Sequence, residues 1–250
     1  MNQPEFINSV FSEAGIPVSS RSAEQLIRYY ELLTERNSVM NLTAITDFKE
    51  VAVKHFVDSG MLFSEKLAAA LPDLKLSSGG GLIDVGTGAG FPGLPIKILC
   101  PEARVLLLDA LDKRVRFLND VICELGLTGV DTVHARAEEG VFLKRDGAPF
   151  RESFHVAVSR AVADLSVLSE YCLPYVEVGG LFIAYKSANV EEEVKKSSNA
   201  LGVLGGEVEN VFKFELPENG GARSLVVIRK MAATPEKYPR KAGKPVKKPL

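Results

Sequence analysis

The chain has 250 residues, of which 46% are hydrophobic and 25% are charged, enough to bury one substantial core with a small appended subdomain. No apolar run approaches the roughly 20 residues that span a bilayer, and the first residues show neither the basic flank nor the apolar stretch of a signal peptide. The three widely spaced cysteines form no CxxC pair, which argues against a disulfide framework and a zinc site. We therefore expect a cytoplasmic protein with no membrane segment and no metal.

Helical patterns occupy the first part of the chain. From Ser22 onward, apolar residues recur at the spacing of a buried helical face. A second helix is predicted from residue 47 to about residue 71, before the Gly-rich run 77–81 breaks the pattern. These features predict an N-terminal helical cap over residues 1–76.

Short apolar strands alternate with helices after this run. The predicted strands cover residues 82–85, 105–109, 130–135, 154–158 and 180–185. Strands that alternate with helices in this way imply a parallel sheet covered on both faces. Two further strands, 208–214 and 225–228, are joined by a polar loop and predict an antiparallel finish. Residues 77–231 are therefore predicted to form one α/β domain.

The charge of the chain is unevenly distributed. Residues 229–250 hold eight basic residues and one acid, Glu236, so this part carries +7 and, because the net charge is −2, the preceding residues carry −9. A polyanionic partner would have to meet local basic patches or this tail. Four prolines among the lysines and the lack of a core-forming period predict that residues 232–250 are extended or disordered when free.

A Gly-rich turn carries the evidence for a cofactor. A strand with Asp84 at its end leads into Gly86, Gly88 and Gly90, and then into a helix. Such glycines let the backbone approach a ligand closely and adopt positive φ. A dinucleotide site would show GxGxxG, whereas this spacing is GxGxG and its preceding acid suits the cationic amino group of a methionine moiety. Asp109, ending the next strand, can accept hydrogen bonds from ribose hydroxyls. The pattern predicts S-adenosylmethionine, against the alternative of a tight turn without a ligand.

Residues after the fourth and fifth strands restrict the methyl acceptor. Cytosine-C5 chemistry needs a nucleophilic cysteine, but Cys123 and Cys172 fall in predicted helices, where a packing role is favoured. Adenine-N6 transfer would show an Asn/Asp-Pro-Pro-aromatic segment, and residues 158–161 read VSRA instead. Lys186 is the one candidate base for hydroxyl methylation. Arg160 could hold a phosphate or a nucleobase edge, or anchor the strand end in a salt bridge. A guanine N7 would suit this site, because its free lone pair needs no deprotonation.

The cap and one helix start carry further polar residues with two open interpretations. The cap set is Asn37, Asn41, Thr43, His55 and Asp58. These residues could simply cap helices or lie outside. Because His55 and Asp58 are three apart and share a helix face, they could equally form a hydrogen-bonded pair over the active site. The basic segment 113–116 is either a solvated face or an RNA-binding patch.

Seven segments in this order resemble one family. They are NLT (41–43), HFVDS (55–59), DVGTGAGFPG (84–93), KRVRFL (113–118), RAE (136–138), SRA (159–161) and PRKAGKP (239–245). Together they resemble the bacterial ribosomal RNA small-subunit methyltransferase G family, also called glucose-inhibited division protein B, over nearly the whole chain. One departure is Ser187 after Lys186, where many relatives have glycine.

The resemblance implies a Rossmann-like class I methyltransferase sheet, mostly parallel with an antiparallel final strand, and guanine-N7 methylation of small-subunit (16S) ribosomal RNA with S-adenosylmethionine as donor. It implies a cofactor site lined by Gly86, Phe91, Ala137, Glu138 and Arg160, with Asp84 and Asp109 alongside. Asn41, His55 and Arg160 would face the RNA or the target base, and Arg136 and Arg223 would contact the RNA backbone.

Two other functions stay open from the residues alone. One is a small-molecule methyltransferase with the same core, which the polar cap and the basic tail disfavour. The other is a nucleotide-sensing RNA-binding module that uses the tail as its binding arm. On the preferred interpretation the partner is small-subunit ribosomal RNA or the small ribosomal subunit, and we expect the protein to act as a monomer.

Overall fold

The computed structural model describes residues 1–72, 74, 76, 81–145, 147–160 and 163–250. Its first two helices are α1 (Gln3–Glu13) and α2 (Ser20–Met40). The hydroxyl of Ser19 accepts a hydrogen bond from the backbone N–H of Ser22 and so caps the start of α2. Such a cap satisfies one of the N–H groups that a helix start leaves without a partner. The first predicted helix is thereby confirmed, with a start slightly earlier than Ser22.

The second helix that the sequence predicts for the cap, from residue 47 to about residue 71, is shorter and less regular in the structure. It begins as expected after Asp47, whose carboxylate accepts the N–H of Glu50 at 3.0 Å. Its segments are α3 (Phe48–Val51), a π-helical turn (Ala52–Val57), α4 (Asp58–Gly60) and a 3-10 turn (Met61–Phe63). Ser64 then takes an extended conformation and turns its hydroxyl back to the Met61 carbonyl. The predicted continuous helix to residue 71 is therefore wrong, because this local side-chain bond ends it. A separate helix, α5 (Glu65–Ala70), follows.

A seven-stranded sheet forms the centre of the molecule. The strands are β1 (Leu82–Val85), β2 (Val105–Asp109), β3 (Val130–His134), β6 (Phe154–Arg160), β7 (Val176–Ser187), β8 (Gly206–Leu216) and β9 (Gly221–Lys230), with a small hairpin of β4 (Lys144–Arg145) and β5 (Ala148–Pro149) outside it. The order in the sheet is β3-β2-β1-β6-β7-β9-β8. Strands β3, β2, β1, β6 and β7 pair in parallel, whereas β9 lies antiparallel between β7 and β8. This confirms the predicted parallel sheet with an antiparallel final strand.

Helices cover both faces of the sheet. The remaining ones are α6 (Gly93–Leu99), α7 (Asp112–Glu124), α8 (Ala137–Gly140), α9 (Leu165–Cys172), α10 (Glu191–Leu204) and α11 (Lys244–Lys247). Alternate strand residues point to opposite faces, so Val158 and Ile183 join one core cluster while Ala157 and Phe182 join the other. The first cluster contains the apolar sides of α1, α2, α6 and α7, so the N-terminal helices share a core with the sheet. The predicted boundary between the cap and the α/β domain, at 76/77, adjoins residues 77–80, which lie outside the described residues.

The C-terminal tail is folded against the body. Tyr238 is buried in the second core cluster. Arg240 forms an ion pair with the buried Glu170 of α9, and the N–H of Thr234 donates to the Glu152 carboxylate at 2.6 Å. The expectation of an extended or disordered tail is therefore wrong. It failed because the partners of the tail are buried polar groups far away in the sequence, which no local pattern reveals.

The structure also bears on the packing role expected of two cysteines. Cys172 is buried in α9, but Cys123 is exposed on α7, so a packing role is wrong for Cys123. Of the helices in the described ranges, none combines the length and apolar character needed to cross a membrane. No group of three or more His, Cys, Asp or Glu side chains suited to a metal ion occurs in the same ranges.

Two helical glycines give a test of the packing at the start of α6. A Cβ on Gly93 would lie 2.4 Å from the Leu107 side chain and 2.8 Å from Asp84, whereas a Cβ on Gly202 of α10 would meet nothing within 4 Å. We expect Gly93→Ala to lower the free energy of unfolding by about 1–3 kcal/mol through overpacking. The matched control, Gly202→Ala, should be neutral or more stable by up to about 1 kcal/mol. Urea unfolding followed by circular dichroism measures both, and equal effects would contradict this account.

Candidate functional site

The Gly-rich loop after β1 has the backbone conformation that its sequence predicts. Gly86, Gly88 and Gly90 have φ values of 75°, 62° and 107°, in the left-handed region that side chains disfavour. A Cβ on Gly90 would also lie 2.5 Å from both the Leu94 side chain and the hydroxyl of Tyr29. A Cβ on Gly88, in contrast, would point into open space. The loop is thus closely packed at Gly90 and open at Gly88.

Asp84 holds this loop from behind. Its Oδ2 accepts hydrogen bonds from the Thr87 hydroxyl at 2.6 Å and from the Gly93 N–H at 2.7 Å. Burial raises the pKa of this carboxyl to about 7. Its Oδ1 has no hydrogen-bond partner within the described part of the chain. The contacts of Asp84 therefore shape the loop, and its predicted contact with the cofactor stays a prediction.

The cap fixes the C-terminal half of the loop. The hydroxyl of Tyr29, on α2, donates to the carbonyl of Ala89. The Phe91 ring lies between cap residues, with centroids 5.3 Å from Tyr29 and 4.6 Å from His55. Sequence reasoning treated Tyr29 only as a core residue of a helix. Its periodicity gave no sign of a polar contact with a loop 60 residues away.

Asp109 joins the end of β2 to the same loop. Its Oδ2 accepts the N–H of Gly88 at 2.9 Å, and its Oδ1 accepts the N–H of Leu111 at 2.9 Å. The guanidinium of Arg114 lies 3.5 Å away. The carboxylate therefore stands where β1 and β2 end side by side, the edge at which parallel α/β sheets bind ligands.

A cavity of about 490 Å³ opens over these groups. The described residues that line it are Leu42, Thr43, His55, Gly86, Thr87, Gly88, Ala89, Phe91, Asp109, Ala110, Leu111, Arg114 and Arg160. Its size is that of a small-molecule site. Of the residues predicted to hold the cofactor, Asp84, Gly90, Ala137 and Glu138 are not among this lining. Ala137 and Glu138 begin α8, where the Glu138 carboxylate accepts the N–H of Gly243 at 2.9 Å.

Arg160, the last residue of β6, carries the most highly connected side chain of the site. Its Nη1 donates to Oδ2 of Asp58 at 2.8 Å and to the carbonyl of Lys54 at 3.3 Å. Its Nη2 lies 3.4 Å from Nδ1 of His55, and its Cζ lies 5.0 Å from the centroid of the Phe91 ring. The side chain is only 13% exposed. The alternative of a salt bridge at the strand end is therefore correct, and the same group also faces the cavity.

The π-helical turn in the cap makes this arrangement possible. Such turns widen a helix by one residue and are frequent at functional sites. Here the turn contains both Lys54, whose carbonyl meets Arg160, and His55. Among the described residues there is no direct hydrogen bond between His55 and Asp58, so the suggested hydrogen-bonded pair is wrong. The guanidinium of Arg160 contacts both instead.

His55 is held as a neutral imidazole. Its Nε2 is 2.9 Å from the Thr43 hydroxyl, and its Nδ1 is 3.1 Å from the Lys54 carbonyl. Burial, followed by the positive charge of Arg160, lowers the pKa of His55 to about 3. At neutral pH this ring is therefore a weak base that is suited to packing and positioning, not to accepting a proton.

A second cavity, of about 440 Å³, lies on the other side of Arg160 and His55. The described residues that line it are Ile45, Lys54, His55, Asp58, Arg160, Tyr185, Lys186, Ser187 and Arg223. Lys186, the candidate base, donates to the Ala163 carbonyl at 2.8 Å and pairs with Glu193 at 2.5 Å. Arg223 lies 4.0 Å from Asp58. Two cavities thus share one wall, formed by Arg160 and His55.

The other residues that the sequence suggested for the site lie at several separate places. Asn41 directly follows α2 in a left-handed conformation with φ of 50°, and it is exposed, outside the linings of both cavities. Arg136 is exposed immediately before α8. Within the basic segment 113–116, Arg114 faces the first cavity, whereas Arg116 pairs with Asp112 in solvent. Ala161, which completes the SRA segment, lies outside the described residues.

Comparison with known proteins gives one consistent family. The family model GidB, described as rRNA small subunit methyltransferase G, matches residues 22–225. A protein of the same description from Acetivibrio thermocellus is 48% identical over 236 residues, with 94% of this chain and 92% of the relative covered. Another, from Exiguobacterium sibiricum, is 47% identical over 250 residues, with both chains covered completely.

A solved structure shares the fold at low sequence identity. It is a protein from Pyrococcus horikoshii, with a TM-score of 0.50 and 14% identity. The match covers 67% of this chain and 63% of that chain. This likeness concerns the fold of the sheet and its helices alone.

The electrostatics of His55 predict a pH effect on stability. The unfolded chain takes up the imidazole proton near pH 6.5, but the folded chain does so only near pH 3, so the folded state is penalised as pH falls between these values. His55→Gln removes this penalty. We expect the variant to gain stability relative to the wild type by on the order of 2 kcal/mol between pH 6.5 and pH 4, allowing for solvent screening of the partly exposed ring. Denaturant unfolding at several pH values measures the gap, and a gap that does not widen would refute this assignment.

Proposed function

The chain belongs to the rRNA small subunit methyltransferase G family, and from this premise we propose that it transfers a methyl group from S-adenosylmethionine to N7 of a guanine in small-subunit (16S) ribosomal RNA. The observation that carries the proposal is the pair of cavities that share Arg160 and His55 as a common wall. One cavity lies over the Gly-rich loop, and the other opens beside it. Donor and acceptor can therefore meet at one point.

The first cavity has the groups that the cofactor requires. Its glycine backbone permits close approach at Gly86 and Gly88, and the carboxylate of Asp109 can accept hydrogen bonds from ribose hydroxyls. Phe91 and Leu111 supply apolar surface. Ala137 and Glu138 lie at the neighbouring strand end and would complete the site. When bound, the cofactor supplies an electrophilic methyl group on a sulfonium.

The second cavity would receive the guanine. Its wall presents the guanidinium of Arg160, which hydrogen-bonds with planar acceptors, while Tyr185 and Ile45 offer apolar contact. N7 carries a free lone pair, so no proton has to be removed before transfer. This agrees with the poor basicity of His55 and with the engagement of Lys186 by Ala163 and Glu193. Alignment of the two reactants then supplies most of the catalysis.

Basic and polar side chains at the second cavity and outside it would meet the RNA backbone. Arg223 at its rim and the exposed Arg136 are the proposed phosphate contacts, and Asn41 at the end of α2 would face the RNA. Such contacts release counterions, so RNA binding should weaken steeply with salt, whereas binding of a small molecule would not. The proposed cellular location of this enzyme is the cytoplasm, where ribosomal RNA is modified.

Methyl transfer by purified protein tests the proposal. Labelled S-adenosylmethionine is incubated with small-subunit RNA, or with small subunits, from a strain that lacks this methylation. Chemical cleavage at N7-methylguanine then locates the label. We expect one methylated guanine. Label on neither substrate, or on a position other than N7, would contradict the proposed reaction.

Variants of Arg160 test the role of the shared wall. Arg160→Lys keeps the charge but loses the planar fork, so we expect kcat/KM for methyl transfer to fall about 100-fold through misalignment. The control is Arg28→Ala, which removes a half-exposed guanidinium that pairs with Glu31 and Glu124 and lines neither cavity, and it should keep activity within about twofold. Thermal unfolding confirms that both variants fold. Full activity in Arg160→Lys would show that the wall does not align the reactants.

A further inference from the structure

The basic C-terminal tail has no part in the proposed reaction as described above, yet its backbone is fixed at several points. The guanidinium of Arg151 donates to the carbonyl of Tyr238 at 2.8 Å and to that of Thr234 at 2.6 Å. The carboxylate of Glu152 accepts the N–H of Thr234 at 2.6 Å. Arg151 and Glu152, just before β6, thus hold the first part of the tail.

The strongest anchor is a buried carboxylate on α9. Glu170 is wholly buried, and it accepts the backbone N–H of Arg240 at 2.8 Å as well as its guanidinium through Nε and Nη2. The Arg240 side chain is 14% exposed. A buried carboxylate without this partner would be left unpaired, so Glu170 fixes the position of Arg240 closely. Lys241, the next residue, is exposed.

Beyond this anchor the tail reaches the edge of the cofactor site. The N–H of Gly243 donates to Oε1 of Glu138 at 2.9 Å. Glu138 stands in the first turn of α8, directly after β3. The N–H of Ala135, three residues earlier, donates to the Asp109 carbonyl at 3.1 Å. The short segment from Ala135 to Glu138 therefore links the tail to Asp109, whose carboxylate lines the first cavity.

The start of α8 is also held by residues of the body. The hydroxyl of Tyr175 donates to the Ala137 carbonyl at 2.7 Å. The hydroxyl of Tyr171, on α9, also contacts Glu138. The start of α8 is thus held by Tyr171 of α9, by Tyr175 shortly after α9 and by the tail, and the position of the Glu138 carboxylate depends on these contacts.

We propose that residues 238–244 form a strap that positions Glu138 for cofactor binding, with Arg240 as the positioning residue. This inference rests on the proposed function, because it takes Glu138 as part of the S-adenosylmethionine site. The strap acts through Glu170 and Gly243 and makes no contact with the reacting atoms. Its basic side chains on the outer surface are separate from this role.

The test compares two variants that each lose one positive charge. Arg240→Ala removes the anchor to Glu170, whereas Lys241→Ala removes an exposed neighbour. Isothermal titration calorimetry with S-adenosylhomocysteine should show binding at least about fivefold weaker for Arg240→Ala and within about twofold of wild type for Lys241→Ala. In methyl transfer, Arg240→Ala should raise the KM for the cofactor and keep kcat at saturation. Unchanged cofactor affinity in a folded Arg240→Ala protein overturns the strap.

A second measurement needs no variant. Because coupling between sites is reciprocal, saturating S-adenosylhomocysteine should slow hydrogen exchange in the tail peptide that contains Gly243 of the wild-type protein. Exchange in this peptide that does not respond to the cofactor overturns the strap even if Arg240→Ala fails to fold. Equal loss of RNA binding in both variants with unchanged cofactor affinity also overturns it, in favour of an RNA-binding arm. A wild-type protein that binds no cofactor contradicts the proposed function and this inference together.

Discussion

The ion pair between Arg160 and Asp58 joins the end of a central strand to the helical cap. Both side chains are nearly buried and their charged atoms are 2.8 Å apart. To remove one partner of such a pair typically costs about 3–5 kcal/mol, because the other charge is left without compensation. The cap therefore cannot shift over the sheet without breaking this contact. The position of the guanidinium, and with it the wall between the two cavities, is set by this constraint.

The Gly-rich loop depends on the same constraint. The π-helical turn that gives Arg160 the carbonyl of Lys54 also carries His55, whose ring packs on Phe91 of the loop. Asp84 from below and Tyr29 from the cap bind other parts of the loop. A site held from several sides loses little free energy in ordering itself when ligands bind, which is how enzymes gain rate from alignment alone. This suits a reaction in which no base is needed.

Much of this arrangement was readable from the sequence, for identifiable reasons. Buried parallel strands are short and apolar, so their number and order along the chain followed from local patterns. The Gly-rich loop is also local, and the clustering of Asp109 with it follows because parallel strands end at one edge. The break at Ser64 was not predictable, since it depends on one side-chain bond within an apolar helical pattern. The docked tail was missed because its anchor, Glu170, lies 70 residues away and its composition is that of a disordered segment.

A double-mutant cycle on Arg160 and Asp58 tests the central claim most directly. The rates of methyl transfer to small-subunit ribosomal RNA are compared for Asp58→Asn, Arg160→Lys and the double variant, with wild type as reference. If Asp58 acts by holding the guanidinium in the wall, the double variant should be little worse than Arg160→Lys, with a coupling free energy of at least about 1 kcal/mol. Effects on kcat/KM that add within about 0.5 kcal/mol would show that the two residues act independently, and would contradict the account.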